Sequence, residues 1–390
     1  MATTISLSQF LSPGVYIVED QDGYIPVEIA TFGHVYMVGT STIGDVNTPT
    51  QVVSPTDFTN QFGASLSTDY VKLYFDNDPQ GILYFTRVAA AAPNLTVASE
   101  FVATLGVAFN EDQPQGFLLA PQAFERLTTA SDKLSVASKM RDIAEDENFD
   151  WIALLDCSKA TDTTGELQTE GVPYVSAAGH TAYYSPWVIT QEDKELPPSP
   201  VVAGVATRRY RAQGFAQAPA GLRYPIRGVK GLTKYYTRSE QDVANPLGIN
   251  LLKRHSNGQL VVWGARTRST NEYFRFINQR VTFNVVKRTL REAFDILLFD
   301  LNEGRGIIYR RVKDTAEEVL YRIWQSGALF GVNPGDSFLV VCDETNNPAL
   351  DTEAGILRFD AYLIPSAPVE KIVGRTVRVP VGTFTARLSD

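Results

Sequence analysis

Residues 259–343 constrain the fold more than any other stretch of this chain. LVVWGARTRS (260–269) reads as a buried strand, and YFRFIN (273–278) is a second apolar-aromatic run. From 279 to 298, Phe283, Val286, Leu290, Ala293, Phe294 and Leu297 recur at helical spacing, with Arg280, Lys287, Arg288 and Arg291 on or beside the opposite face. A turn at NEGRG (302–306) precedes a second helix. There Thr315 and Glu318 have capping-box spacing, and Ala316, Val319, Leu320, Ile323, Trp324 and Gly327 form a buried stripe. FLVVCD (338–343) closes the stretch as a strand. Strand, helix, helix, strand requires both faces of a sheet to be covered, so the stretch is expected to be the packed heart of an α/β or α+β domain.

Both ends of the chain alternate without a local partner. Ile5, Leu7 and Leu11 share one parity, with Ser6 and Ser8 between. Near the other end Val377, Val379 and Val381 alternate, and Pro380 removes a backbone donor, which fits an edge or added strand. Such strands are expected to add to another sheet, in this chain or a neighbour's.

Between the ends, strands are expected at 31–40, 82–88, 117–121 and 151–157. Helices are expected from 54 to about 63, ending at 71–75, and over 131–147. Helix and strand signals alternating at this spacing read as βαβ units and a partly parallel sheet. The polar segment 161–171 reads as a loop, DKELPPSP (193–200) as a rigid extended stretch, and 217–231 as a Pro/Gly-rich connection. A polar loop (344–355) then leads to a strand in 356–365.

A chain of 390 residues exceeds one ordinary core, so two domains are expected. No apolar run approaches the roughly 18–20 residues that span a bilayer. The opening MATTISLSQF has neither a basic nor an apolar leader region, so no secretory signal is expected. Cys157 and Cys342 each adjoin an aspartate at the end of an apolar strand and are expected to be buried free thiols, which fits folding in a reducing compartment. Charge is uneven. Residues 1–200 hold 8 basic and 26 acidic side chains, a net −18, whereas 201–390 hold 27 and 18, a net +9. The two halves are therefore expected to face different partners, although solubility alone could also produce the imbalance.

No catalytic motif is visible: no G-x-S-x-G, H-E-x-x-H, C-x-x-C, Walker or dinucleotide-binding pattern. Residues 228–234 resemble a phosphate loop only faintly, with the wrong spacing. His34, His180 and His255 are far apart, and His34 is expected to be a satisfied core residue. Asp20/Asp22 and Asp76/Asp78 read as solvated turn aspartates, since Tyr24 breaks a calcium-loop pattern. No catalytic, metal or cofactor residue is assigned. The basic second half could bind nucleic acid, but its charges are interspersed with acids in an acidic protein.

The residues nonetheless resemble a known family. SPGVYIVE (12–19), Val38-Gly39, VVSPTDFTNQFG (52–63), ILYFTRV (82–88) and ELPPSPVVAGV (195–205) are similar to contractile tail sheath proteins. The likeness is strongest in QAPAG (217–221), NPLGIN (245–250), VVWGARTRS (261–269), WQSGALFG (324–331) and FLVVCDETNNP (338–348), and PVEKI (368–372) sits where the family carries its last core motif. Where the family often has an acidic residue and glycine before its proline–alanine loop, this chain has ATRRYRAQGF.

The resemblance implies a short, two-domain sheath protomer of mixed α/β class: an arm over 1–20, an outer domain over 21–240, an inner domain over 241–374 and an arm over 375–390. It implies subunits that polymerise as stacked hexameric rings around an inner tube, contract on a baseplate trigger and drive the tube through a cell envelope. The implied partners are further copies of the chain, the tube, the baseplate and terminator or cap proteins, with no nucleic acid and no membrane insertion. The implied setting is a phage tail or injection-system particle, assembled in the bacterial host cytoplasm. Ile5, Leu7, Leu11, Val377, Val379 and Val381 would then lie on inter-subunit strands. Arg280, Lys287, Arg288 and Arg291 would face the tube or the next ring, or else form a merely solvated helix face. The competing readings are a monomeric α/β enzyme and a soluble binding protein; neither has a recognisable site.

Overall fold

The computed structural model describes residues 28–90, 92, 95–161, 163–301, 306–375 and 378. The alternating segments around Ile5, Leu7 and Leu11 and around Val377, Val379 and Val381, and the Asp20/Asp22 pair, lie outside the described residues. In chain order the first elements are β1 (Phe32–Gly39), β2 (Thr50–Val52), α1 (Pro55–Phe62), α2 (Ser67–Asn77), β3 (Ile82–Arg87), α3 (Ala98–Val107), β4 (Gln115–Leu119), α4 (Pro121–Arg126), α5 (Ala130–Glu145) and β5 (Ile152–Asp156). There follow α6 (Thr164–Gly171), β6 (Thr181–Ser185), β7 (Val188–Thr190), β8 (Glu195–Leu196), α7 (Ser199–Gln213), β9 (Val229–Leu232), α8 (Arg238–Ala244), β10 (Ile249–Arg254) and β11 (Leu260–Val262). The last are α9 (Ile277–Phe294), α10 (Ile307–Gln325), α11 (Pro334–Ser337), β12 (Phe338–Val341), α12 (Ala349–Glu353) and β13 (Asp360–Leu363).

Eight strands form one sheet in the order β11-β10-β6-β5-β4-β1-β3-β2. Its centre is parallel, and an antiparallel strand closes each end. Parallel strands need helical crossovers, which cover both faces, so β4 and β5 are buried at every position. Along β1 successive side chains alternate between two cores. Val35 and Met37 join α1, α2 and α7 on one face, while Tyr36 and Val38 join α3, α4 and α5 on the other.

The stretch 259–343 is not the heart of this sheet. It contributes only the edge strand β11, because Asn250 on β10 replaces a continuing ladder beyond Val262. Its Oδ1 accepts from Arg266 N at 2.7 Å and its Nδ2 donates to Arg266 O at 2.7 Å. Gly264 lies against this asparagine, so closely that a Cβ would meet the Asn250 backbone at 2.9 Å. The run at 273–278 is a 3-10 turn (Glu272–Phe274) followed by the start of α9.

α9 is buried on two sides. Ile277, Val281 and Val285 belong to the core beneath the large sheet, whereas Val286 and Leu290 belong to a third core with Ala316, Val319, Leu320 and Ile323 of α10 and Val340 of β12. The helix therefore ties the large sheet to the small C-terminal layer. Because β10 and β11 extend the same sheet as β1–β6, the boundary expected between 240 and 241 runs through a hydrogen-bonded sheet.

Four further expectations need correction. The polar segment 161–171 contains a helix, α6, which Thr163 and Glu166 start with a capping box and Leu167 anchors in the core. Thr163→Ala is expected to cost about 1 kcal/mol in chemical denaturation. Residues 193–200 hold β8 and the start of α7, since prolines are tolerated in a helix's first turn, where their missing N–H has no partner to lose. Thr315 and Glu318 lie inside α10, whose apolar stripe begins upstream at Ile308 and Val312. Asp78 is not a solvated turn residue: it is buried, accepts from Thr207 Oγ1 at 2.6 Å and pairs with Arg211.

Cys157 and Cys342 are buried free thiols, and burial raises the pKa of both. His34 is less settled than expected, with Nδ1 buried and without a hydrogen-bond partner among the described residues. Burial lowers its pKa.

Candidate interaction surfaces

The four basic residues of α9 are all engaged within their own chain. Arg280 is 5% exposed. Its guanidinium lies 4.6 Å from the centre of the Phe274 ring and 5.4 Å from that of Phe283, and it donates to Asn284 Oδ1 at 2.7 Å and to Ala178 O at 3.2 Å. Burial pulls its pKa down to about 10. It is a packing residue, not an outward charge. Lys287 donates to Asp150 Oδ1 at 2.6 Å, and the buried Asp150 carboxyl is raised by desolvation against the opposing pull of that lysine. Arg288 pairs with Glu292 at 2.5 Å and donates to Glu111 O at 3.0 Å; Arg291 donates to Glu147 O at 2.6 Å. Glu111 precedes β4, and Glu147 and Asp150 precede β5, so these contacts strap α9 across one end of the sheet. Lys287 and Arg291 keep exposed surface.

The small C-terminal layer presents a different surface. β12 and β13 pair antiparallel, and Leu339 lies opposite Tyr362. Val340 faces α10, while Leu339 and Tyr362 are 57% and 59% exposed. Among the described residues each of these strands has one strand neighbour, so both outer edges are open. A two-stranded sheet with one apolar face turned to solvent is marginal by itself and is a template for further strands.

The sequence reading placed residues 368–372 in the family pattern but gave them no contact. In the structure Glu370 accepts from Arg266 Nε at 3.1 Å and forms a charge-assisted pair with Arg266 Nη2 at 2.5 Å. Asn278 Nδ2 holds Ser366 O at 2.9 Å, and Ser366 N donates to Ala328 O at 2.8 Å. The chain is thus pinned along α9 before it reaches the alternating C-terminal residues. Arg266 and Glu370 are more than 100 residues apart, and nothing in sequence spacing links them.

The nearest approach to catalytic geometry is at Ser158. Lys133 Nζ donates to its Oγ at 2.7 Å, and that Oγ donates to Glu170 Oε1 at 2.6 Å. Glu170 also accepts from Ser158 N, Thr161 and Tyr183. The hydroxyl donates to a carboxylate and accepts from an ammonium, and so bridges α5, α6 and β6. Among the described residues no group of three or more His, Cys, Asp or Glu converges as metal ligands, and no helix is long and apolar enough to cross a membrane.

Residues 104–268, from within α3 past β11, match the phage tail sheath protein central domain. A tail sheath protein of Vibrio phage KVP40 is 27% identical over 173 residues, which is 44% of this chain and 25% of that protein. The chain thus matches about a quarter of that relative's length. Beyond the central domain the likeness is one of fold. The sheath complex of an extracellular contractile injection system, PVC, in its contracted state is 21% identical and superposes with a TM-score of 0.75, covering 97% of this chain and 99% of that one. The helical sheath of the anti-feeding prophage, also contracted, is 23% identical with a TM-score of 0.75, covering 94% and 99%. The tail sheath fold accordingly runs through both the large sheet and the C-terminal layer.

Proposed function

We propose that this chain is the structural subunit of a contractile sheath, not an enzyme. Copies stack as hexameric rings around an inner tube and contract to drive it through a target envelope. The observation that carries this reading is the tail sheath central domain, set in a chain that has the sheath fold along nearly its whole length. The proposed partners are other copies of the chain, a tube protein, a baseplate and a terminator or cap protein. The particle is a phage tail or injection system assembled in a bacterial cytoplasm.

In this reading the division of labour is an outer region before about residue 240 and an inner region after it, the two joined through the large sheet where β10 pairs with β6. The segments with Ile5, Leu7 and Leu11 and with Val377, Val379 and Val381 add as strands to neighbouring copies, and the open edges of β12 and β13 support that assignment. Lys287, Arg291 and the outer part of Arg288 can still meet a tube or ring. Each surface pair contributes only about 0–1 kcal/mol, but repetition along a polymer multiplies it.

Electron microscopy of the purified chain at high concentration tests the reading. Cross-striated hollow tubes are expected, formed alone or on co-expression with the tube protein. Deleting residues 1–11 or 376–390 is expected to abolish the tubes while leaving a folded monomer. A monodisperse wild-type chain under both conditions would end the sheath reading; a truncation that unfolds the core would show that the arm pairs within its own subunit.

A further inference from the structure

Five arginines gather where α7 ends. Arg208, Arg209 and Arg211 lie on its last turns, and Arg223 and Arg227 on the loop that follows. Arg208 and Arg209 flank the Tyr224 ring, at 5.6 and 5.9 Å from its centre. Arg208 donates to Pro225 O at 2.6 Å, and Arg209 to Ala220 O and, at 3.2 Å, to Gln217 Oε1. These are neutral acceptors. Arg211 has a carboxylate, Asp78; among the described residues the other four form no ion pair. Arg208 Nε and Nη1 and Arg209 Nε are buried with no hydrogen-bond partner among the described residues. Burial lowers the pKa of both residues; Arg227 lowers that of Arg208 further against the opposing pull of Asp78, and Arg223 lowers that of Arg209 against Tyr210 and Tyr224. Asp78 offsets part of this charge, pairing with Arg211 and opposing the lowered pKa of Arg208, but five arginines stand in excess of it.

The opposite arrangement occurs at the end of α5. Glu145, Asp146 and Glu147 are exposed at its C-terminus, and the last turn carries no basic residue. Carboxylates there oppose the helix dipole. Glu111 and Asp112 join them: Arg288 and Arg291, about one turn apart on α9, bond the main-chain carbonyls of Glu111 and Glu147, which places the two acidic loops side by side. Among the described residues these carboxylates form no ion pair, and only Asp146 has a side-chain hydrogen bond, its Oδ1 accepting from Asn148 N at 2.9 Å.

The two patches cannot neutralise each other within one molecule. α7 packs in the core on one face of the large sheet and α5 in the core on the other. α9 lies between them: Asn278 bonds Ala216, beside the arginine loop, and Arg291 bonds Glu147 at the acidic rim. Those contacts are 13 residues apart along a helix, roughly 20 Å, against a screening length of about 8 Å at physiological salt.

We propose that the arginine cluster at the end of α7 receives the acidic rim at the end of α5 of a second copy of this chain. The inference rests on the sheath reading and adds to it a contact, its polarity and its residues. Because two different patches meet, the contact is heterologous, which generates rings or helices and not a closed dimer. Arg223 and Arg227, exposed and without an ion pair, gain carboxylates, and the acidic rim gains cations at a helix C-terminus.

Charge swapping tests it. Arg223 and Arg227 are exposed, so R223E/R227E should fold, with the wild-type thermal melt as control and R223Q/R227Q as a milder second variant. The full chain is polymerised alone and with its tube, and assembly is read by sedimentation. The expected result is a rise of about tenfold or more in the concentration needed for polymer, from the loss and reversal of several pairs. Adding E145K/E147K to R223E/R227E is expected to restore assembly. Normal polymerisation of R223E/R227E overturns the proposal, as does failure of the acidic-rim swap to rescue. Normal polymerisation alone with failure only on the tube also overturns it and assigns the arginines to the tube. If the wild-type chain forms no polymer in either condition, the sheath reading falls and this contact with it.

Discussion

Trp151→Ala is expected to destabilise the folded chain by about 3–5 kcal/mol, the range for deleting a large buried aromatic side chain. Trp151 is fully buried and stacks on Tyr36, with ring centres 4.0 Å apart. Phe149 and Phe109 pack against it at 5.0 and 5.1 Å. Four aromatic rings thus fill one end of the core beside β1 and β5. None of the three neighbours can collapse into the space without leaving its own contacts, so most of the volume would persist as a cavity. The hydrogen-bond loss is minor by comparison. Pro114 O accepts from Trp151 Nε1 at 3.1 Å but also from Tyr36 Oη at 2.8 Å, so it stays satisfied. Trp151→Phe should therefore cost much less than Trp151→Ala. Urea denaturation of the unpolymerised chain measures both, and the expected signature is a lower midpoint at an unchanged slope. A loss under about 1 kcal/mol for the alanine variant would mean that the aromatic cluster repacks.

The core that Trp151 fills was legible in the sequence, and the reason is periodicity. Residues 31–40, 82–88, 117–121 and 151–157 are short apolar runs bounded by turn residues, and each became a central strand within two residues of its expected limits. The α1 start was equally clear, since Ser54 caps the helix and Pro55 occupies its first turn. What periodicity could not supply was which strands share a sheet. The stretch 260–343 is rich in local signal, yet its β11 and β12 lie in different sheets, separated by the amide of Asn250, a long-range contact with no pattern of its own. Polarity misled at α6, where a capping box and one buried leucine suffice to hold a helix that reads as a loop.

The candidate surfaces were less legible still. Arg280, Lys287, Arg288 and Arg291 were correctly placed on a helix, but a helical wheel shows only which residues share a face. It does not show that Arg280 is enclosed by Phe274 and Phe283, or that Asp150, Glu111 and Glu147 wait opposite the others. The segment ATRRYRAQGF (206–215), which carries Arg208, Arg209 and Arg211, stood out as a departure from the family pattern. Its meaning depends on Arg223 and Arg227 joining it in space with more positive charge than Asp78 offsets, which no one-dimensional reading reveals.

Asp156→Asn is expected to change the slope of stability against pH, and the sign follows from two buried groups with opposite shifts. Asp156 is fully buried at the end of β5, where Ser199 N and Oγ at the start of α7 donate to it at 2.7 and 2.6 Å. Desolvation outweighs those bonds and raises its pKa from 3.8 to about 7. Its contribution is fully present below the unfolded pKa and is lost as pH rises through the folded one, so from about 4 to 7 it makes the protein less stable with increasing pH. His180 does the reverse. It is buried beside Trp151 O, which is 2.7 Å from its Nδ1, and burial, with Arg280 as the next cause, lowers its pKa from 6.5 to about 3. Its contribution is present above the unfolded pKa and is lost as pH falls toward 3. Each slope is at most about 1.4 kcal/mol per pH unit, so between about 4 and 6.5 the two cancel in the wild-type chain. Asparagine keeps an acceptor for Ser199 but cannot ionise, and its amide donors add a pH-independent cost. Relative to wild type, the Asp156→Asn profile should therefore gain a positive slope over that window, whatever its absolute offset. His180→Gln should gain a negative one. Denaturation midpoints of the unpolymerised chain at pH 4.5, 5.5 and 6.5 would read both slopes. If the Asp156→Asn profile runs parallel to wild type, Asp156 titrates in the folded chain much as it does in the unfolded one, and the carboxylate is held ionised by Ser199 and the start of α7 despite its burial.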